Sequence, residues 1–384
     1  MKTIEEINDK IRSGSAVVMT AEEVAAMTKE RGVKETAKRV DVVTTGTFSP
    51  MCSSGAFLNF GHSEPPIRMN RVLLNDVPAY AGVAAVDCYI GATEASLSRG
   101  MEYGGAHVIE DLVAGQSIKL SAHSYGTDCY PRKEIETTVS LKDMNQCFMF
   151  NPRNAYQNYS CATNTSSTII RTYMGTLLPR CANATYATSG ELSPLLKDPE
   201  LRTVGIGTRV FFGGAQGYVA WAGTQCFPGV SENKDGSKMY SGATLAIIGD
   251  LKQMNANFIR AAVMDGYGIS LYVGIGIPFP VLDEDLLRQL AVPNSELFTD
   301  VYDYSVPSRS RPVLRRVSYA ELRSGEIELG GRKVPAAPLS SLRKAREIAE
   351  LLKLQVREGS FLLTEAVAKL PSEPVKHVLE ERMV

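Results

Sequence analysis

The chain reads as an α/β or α+β protein of mixed layers, and three features of its 384 residues predict it. Helical and strand periods alternate over the first fifty residues. From 46 to 280 the chain is rich in Gly, Ser, Thr, Asn and Tyr, and short apolar runs are broken by turn residues. Beyond about residue 310 a hairpin pattern leads into the clearest helix of the chain. These features place a catalytic unit over 1–309 and a small C-terminal hairpin and helical subdomain or arm over 310–384.

Each element has a local reason. Residues 3 to 12 carry a helical pattern, and SAVVM (15 to 19) is a short strand. Thr20 and Glu23 fit a capping box that opens a helix ending at Gly32. A further short helix precedes the strand VDVVTT at 40 to 45. YGGAHVIEDLVAG, IKLSAHSYGTDCYP, TVGIGTRVFFGG and ISLYVGIGIPFP then alternate short apolar runs with turns. Gly330-Gly331 in GEIELGGRKV reads as a hairpin turn. In SLRKAREIAELLKLQVREG (341 to 359), Ile348, Leu351 and Leu352 form the apolar stripe. Neither GIGTRVFFGG nor VGIGIPFP matches GxGxxG opening a helix or GxxxxGK[ST]. Their glycines read as tight turns and close backbone approach instead.

Composition excludes several function classes. Charged residues make up 22% and the net charge is −1, so nothing points to nucleic acid or another polyanion. No apolar run reaches the roughly 18 residues of a membrane span. The start, MKTIEEINDKI, lacks the apolar centre of a signal peptide. A soluble cytoplasmic protein is the expectation. Seven cysteines, at 52, 88, 129, 147, 161, 181 and 226, are odd in number and contain no CxxC pair. That argues against a disulfide scaffold and a structural zinc site.

Two cysteines stand out by setting. Cys52 lies in SPMCSSGAF, where a strand runs out into a loop and a helix could begin directly afterwards. Cys129 lies in YGTDCYPRKE, a turn with Arg132 and Lys133 close behind. A helix N-terminus or a nearby cation lowers a thiol pKa. A free thiol near ~8.5 is only about 3% ionised at pH 7, and lowering it by ~2 units takes about 2.7 kcal/mol. Asp128 opposes ionisation of Cys129, or donates a proton to an intermediate. His62 and His123, each near one of the two cysteines in sequence, are candidate proton carriers. Arg132, Arg153 and Arg209 are candidate clamps for a substrate carboxylate. The remaining cysteines read mostly as small buried apolar residues, with Cys226 in GTQCFPG intermediate. From the residues alone the reading is a thiol-dependent enzyme acting on a small anionic molecule, with a non-catalytic binding protein as the alternative.

Several long motifs carry a resemblance. VDVVTTGTFSPMCSSGAFLNFGHSEPPIRM, YGGAHVIEDLVAG, YGTDCYPRKEIET, FNPRNAYQNY, YMGTLLPR, GIGTRVFFGG and APLSSLRKAREIAELLK resemble the homocysteine-biosynthesis family, over almost the whole chain. The resemblance implies an L-aspartate semialdehyde sulfurtransferase activity, with sulfide or a persulfide as sulfur source and homocysteine as product. It implies that Cys52 and Cys129 are the functional pair, in either order of sulfur carrier and resolving thiol. It also implies a ferredoxin-like iron–sulfur protein as external donor, and it leaves room for a homo-oligomer. Archaeal relatives continue into a pair of CBS modules, whereas this sequence stops at Val384, which predicts no adenosyl-ligand control. Where relatives often carry a histidine after GTQ, this chain has Cys226. A [4Fe–4S] cluster on Cys52, Cys129 and Cys226 is therefore a further expectation. The alternative function is a sulfur-carrier or persulfide-relay protein, or an iron–sulfur scaffold, that does not itself bind the aldehyde.

Overall fold

The computed structural model describes residues 1–232, 238–371, 373, 377 and 379–382. It has the mixed α/β architecture and the many short strands that the alternating periods predict. Its largest sheet has nine strands among the described residues. Eight run in the spatial order Ile259–Met264, Gly268–Gly276, Arg209–Phe212, Ala215–Ala222, Leu245–Asp250, Cys147–Asn154, Gly55–Asn59, Asp87–Gly91. All of these pairings are antiparallel. The ninth strand, Thr47–Pro50, pairs with Gly268–Gly276 near one end of this order. Its sequence neighbour Gly55–Asn59 pairs with Cys147–Asn154 near the other. Residues 51 to 54 therefore cross the mouth of a curled sheet, and Cys52 sits on that crossing.

Three further sheets flank it. One antiparallel set, in the order Glu134–Val139, Ile118–His123, Arg71–Leu74, Val77–Ala79, carries the loop that contains Cys129. A six-stranded sheet includes Phe298–Asp303, Cys161–Thr163, Ala184–Tyr186 and the hairpin Glu326–Leu329/Arg332–Pro338. A third joins Val18–Thr20, Val42–Thr44 and Pro278–Pro280.

Several local expectations are met, although the strand expected at 15–19 is Val18–Thr20 and the one expected at 40–45 is Val42–Thr44. The first helix is Ile4–Arg12. The second, Ala21–Arg31, has the capping box of Thr20 and Glu23 and stops at Gly32, whose φ of 77° favours glycine. The hairpin turns at Gly330 and Gly331, both in the left-handed region. The long helix is Leu342–Arg357; it buries Ala345, Ile348, Ala349, Leu352 and Val356. Each large apolar side chain among them contributes about 1.5–3 kcal/mol on burial. It docks on Thr47–Pro50 and Gly268–Gly276, so the last clear helix braces the strand that leads to Cys52. The approach is tight at Gly46, where a methyl group would collide with the carbonyl oxygen of Ala345. No helix among the described residues is long and apolar enough to cross a membrane.

Candidate active site

Cys52 is exposed at the crossing turn, and its neighbours fasten it. The Met51 N–H donates to Leu271 O at 2.7 Å, and Ser54 Oγ donates to Met51 O at 2.7 Å. The fully buried Asn151 ties both flanks together. Its Nδ2 donates to Ser54 Oγ (2.7 Å), while its Oδ1 accepts from Ser53 Oγ (3.1 Å) and from the Arg153 N–H (2.8 Å). One amide thus sets both Cys52 and Arg153.

The expected helix after Cys52 is absent. The strand Gly55–Asn59 follows instead, because Gly55, Ala56 and Leu58 are drawn into the sheet between Cys147–Asn154 and Asp87–Gly91. The sulfur therefore has no helix N-terminus directly after it in the chain. Although Cys52 opens on solvent, the protein packed around the cavity desolvates its thiol and pushes it above its ordinary range, against the opposing pull of the Arg153 charge and the N–H groups of Cys52 and Ser53. The expectation of a lowered pKa is corrected for this reason: desolvation outweighs a single cation.

Two connected chambers meet at this sulfur. The inner one is narrow, about 60 Å³, and the outer bowl is about 590 Å³. They share Cys52, Tyr156, Tyr159, Tyr173 and Tyr267. The tyrosines form a lattice of edge contacts: Tyr156–Tyr159 at 5.0 Å, Tyr159–Tyr173 and Tyr173–Tyr267 at 6.1 Å, Tyr173–Tyr304 at 5.8 Å. Such geometry suits the ring quadrupoles. Burial pushes the Tyr156 hydroxyl up to about 12, so at neutral pH it is a hydrogen-bond donor, not an anion. Deep in the inner chamber, Ser270 is 1% exposed and its Oγ has no partner among the described residues. A buried hydroxyl left so is available to a ligand.

Arg153, Arg309 and Arg311 line the outer bowl, and no carboxylate lines either chamber. Arg153 is reached through an irregular stretch of strand between Asn151 and Asn154. Ala155 follows with φ of 51°, an uncommon conformation for a residue with a side chain. That bend turns Tyr156 and Tyr159 into the cavity.

The other predicted residues gather elsewhere. Cys129 and Asp128 are exposed on the loop between Ile118–His123 and Glu134–Val139. Tyr130 stacks on His62 with ring centroids 6.0 Å apart, and Arg132 Nη2 donates to Glu64 O at 2.9 Å. His123 Nδ1 lies 3.3 Å from Glu134 Oε1. The Cys129 loop is thereby pinned to residues 62 to 67, beyond the far end of the strand Gly55–Asn59. Five extended residues span roughly 16 Å at about 3.3 Å each. Cys129 lines neither chamber, so the cavity at Cys52 is walled without it.

Arg209 is also drawn off. Its N–H donates to Thr364 Oγ1 (2.8 Å) and its Nη1 to Leu362 O (3.3 Å), which fastens the segment after the long helix. Cys226 Sγ accepts from the Thr244 N–H at 3.3 Å and packs against the core; its neighbours Gln225 and Phe227 line the bowl, and it does not. Neither Cys129 nor Cys226 lines the cavity at Cys52. Among the described residues no group of three or more His, Cys, Asp or Glu is placed to hold a metal. Sequence reading missed the tyrosine lattice, Ser270, Arg309 and Arg311. The only signal was the PSRSRP run, which places two arginines two residues apart.

The comparisons with known proteins agree with one another. The chain is 51% identical over 372 residues to an L-aspartate semialdehyde sulfurtransferase of Methanosarcina acetivorans, covering 97% of this chain and 72% of that one. A protein of the same name from Methanocaldococcus jannaschii is 50% identical over 385 residues, covering 96% of this chain and 73% of that one. An uncharacterised protein of Methanothermobacter thermautotrophicus is 30% identical over 334 residues, 84% of this chain and 72% of its own length. No solved structure matches at a significant level. Residues 16–363 match the model of the family described as homocysteine biosynthesis enzyme, sulfur-incorporation. The chain belongs to that family of sulfur-incorporating enzymes.

Proposed function

We propose that the protein incorporates sulfur reductively into L-aspartate semialdehyde to give homocysteine, with Cys52 as the sulfur-handling nucleophile. One observation carries the reading: an accessible thiol at the junction of a narrow tyrosine-walled chamber and an arginine-lined bowl. The chamber suits a short carbonyl chain, the arginines suit a carboxylate, and the thiol sits where the two meet. The names of the two half-identical relatives supply the substrate.

The chemistry balances as follows. A sulfur anion, hydrosulfide or the outer sulfur of a Cys52 persulfide, adds to the aldehyde carbon. A C–S bond forms, and the carbonyl oxygen takes a proton to become a hydroxyl. Protonated tyrosine hydroxyls such as Tyr156 stabilise that oxygen by donating a hydrogen bond. With hydrosulfide, loss of water gives a thioaldehyde, and two electrons with two protons reduce it to the thiol. With a persulfide, formed when hydrosulfide opens a disulfide between Cys52 and a second thiol and releases that thiol as a thiolate, the adduct is held through an S–S bond. That second thiolate attacks Cys52 Sγ, restores the disulfide and releases the hydroxy-thiolate of the substrate, which loses water and takes two electrons and two protons as before. The electrons come from outside the chain, for which a small ferredoxin-like iron–sulfur protein is the proposed donor.

Cys129 is the proposed second thiol. Because its loop stands outside the cavity of its own chain, we place it as the resolving group of a neighbouring copy. The test is sulfide-dependent homocysteine formation with a reductant supplied. Cys52→Ser and Cys129→Ser should each fall below a hundredth of wild type. Mixed after dissociation, the two should regain about a quarter of wild-type activity, the share for random pairing into two-fold dimers with one complete site per hybrid. Full activity of Cys52→Ser would end the reading, and no recovery on mixing would end the exchange between copies. The exposure of Cys129 also favours a relay reading, in which sulfur passes to another protein and no aldehyde is bound. Homocysteine formed by the purified chain decides against it.

A further inference from the structure

The outer bowl contains more positive charge than a thiol site requires. Arg153, Arg309 and Arg311 all line it, no carboxylate does, and none of the three forms an ion pair among the described residues. Uncompensated guanidinium groups held close together repel one another, so an anion is the natural occupant.

The three are held differently. Arg153 Nε donates to Thr224 Oγ1 at 2.9 Å, and its charge acts on the Cys52 sulfur. The Arg311 guanidinium carbon lies 4.2 Å from the ring centroid of Tyr304, which fixes the plane of the group. Tyr304 is fixed in turn: its hydroxyl is 3.2 Å from that of Tyr173, and its N–H donates to Thr163 O at 2.9 Å. Arg311 Nε is buried and has no hydrogen-bond partner among the described residues. A nearby acid is engaged away from it, since Asp303 accepts from the N–H groups of Thr165 (3.1 Å) and Ser305 (2.9 Å). A planar guanidinium held by stacking and without an ion-pair partner among the described residues is the arrangement that binds a carboxylate through two parallel bonds.

From this we infer that Arg311, assisted by Arg309, forms the carboxylate subsite of the Cys52 cavity, while Arg153 serves the sulfur. The ligand class is a short-chain carboxylate whose far end reaches through the tyrosine lattice to Cys52. This deepens the reading above by naming what holds the substrate, and it is tested without any sulfur transfer.

The experiment follows the alkylation of Cys52 by neutral iodoacetamide, read by peptide mass spectrometry, with partly exposed Cys181, which lines neither chamber, as the internal reference. Succinate, a four-carbon dicarboxylate, should slow alkylation of Cys52 relative to Cys181, and neutral succinamide should not. In Arg311→Gln the succinate concentration giving half protection should rise about 10- to 100-fold, the usual weight of a charge-assisted pair. Arg309→Gln, on an exposed part of the same loop, should raise it in the same direction and leaves the stacked ring untouched. Arg153→Gln should change the basal alkylation rate and keep the protection. Equal protection by succinamide, or protection unchanged in both Arg309→Gln and Arg311→Gln, overturns the subsite. Either result stands apart from homocysteine formation, so failure of the subsite and failure of the sulfurtransferase reading are told apart.

Discussion

Asn151→Ala is the sharpest structural test of how the site is held. The side chain is completely buried and makes three hydrogen bonds, to Ser53, Ser54 and Arg153, on both flanks of Cys52. A net value of about 0.5–1.5 kcal/mol per bond puts the loss at roughly 1.5–4.5 kcal/mol. The upper half of that range is expected, because the Arg153 N–H loses its partner in a buried setting. Ser54 still donates to Met51 O, so that donor stays satisfied. Urea unfolding should show the loss as a lower midpoint, and Ser53→Ala, which removes one of the three, should cost about 1 kcal/mol by the same rule. The variant should also change the rate at which Cys52 is alkylated in the folded protein, since the turn and Arg153 lose a common anchor. A cost below about 0.5 kcal/mol, well under one typical bond, would refute the reasoning. So would a large cost with unaltered Cys52 alkylation, because the amide would then support the fold without setting the site.

Two further outcomes follow from the same geometry. Burial raises the Cys52 pKa, with Arg153 opposing; the folded state therefore favours the neutral thiol, and this residue's contribution to stability fades as pH rises past the ordinary thiol range. The pH midpoint of Cys52 alkylation should lie higher in the folded protein than in urea, and Arg153→Gln should move it higher still; a midpoint at or below the unfolded value contradicts this. Gly46→Ala places a methyl group against the Ala345 carbonyl, and overpacking of this kind costs about 1–3 kcal/mol. A thermal scan should show a lower Tm, and an unchanged Tm would mean that the long helix does not press on the strand leading to Cys52.

Much of the local structure was legible because its causes lie within a few residues. Thr20 and Glu23 cap a helix three positions apart, Gly32 ends it, and Gly330-Gly331 turns a hairpin. The stripe of Ile348 and Leu352 marked the helix that supports the site. Part of the site was legible for the same reason. Cys52 and Arg153 were named from their residue chemistry and both line the cavity, whereas Tyr156, Tyr159 and Tyr173 lay within the quoted motifs without being read as part of a site. The helix expected after Cys52 failed because strand pairing on both sides overrode the local turn signal.

What the sequence by itself determined is the class of the fold, the elements that open and brace it, and the thiol chemistry offered by Cys52. Which groups face that thiol was decided only by tertiary structure. Residues 47–52, 153–159, 173, 267–270 and 304–311 meet through pairings of strands far apart in the chain, antiparallel in the large sheet and parallel between Cys161–Thr163 and Phe298–Asp303, and no local rule sets such a register. The same registers carried Cys129, Arg132 and His62 to the far end of the strand Gly55–Asn59, and Arg209 to the C-terminal segment. A side chain's chemistry is fixed by its type, but its partners are fixed by where the sheet places it.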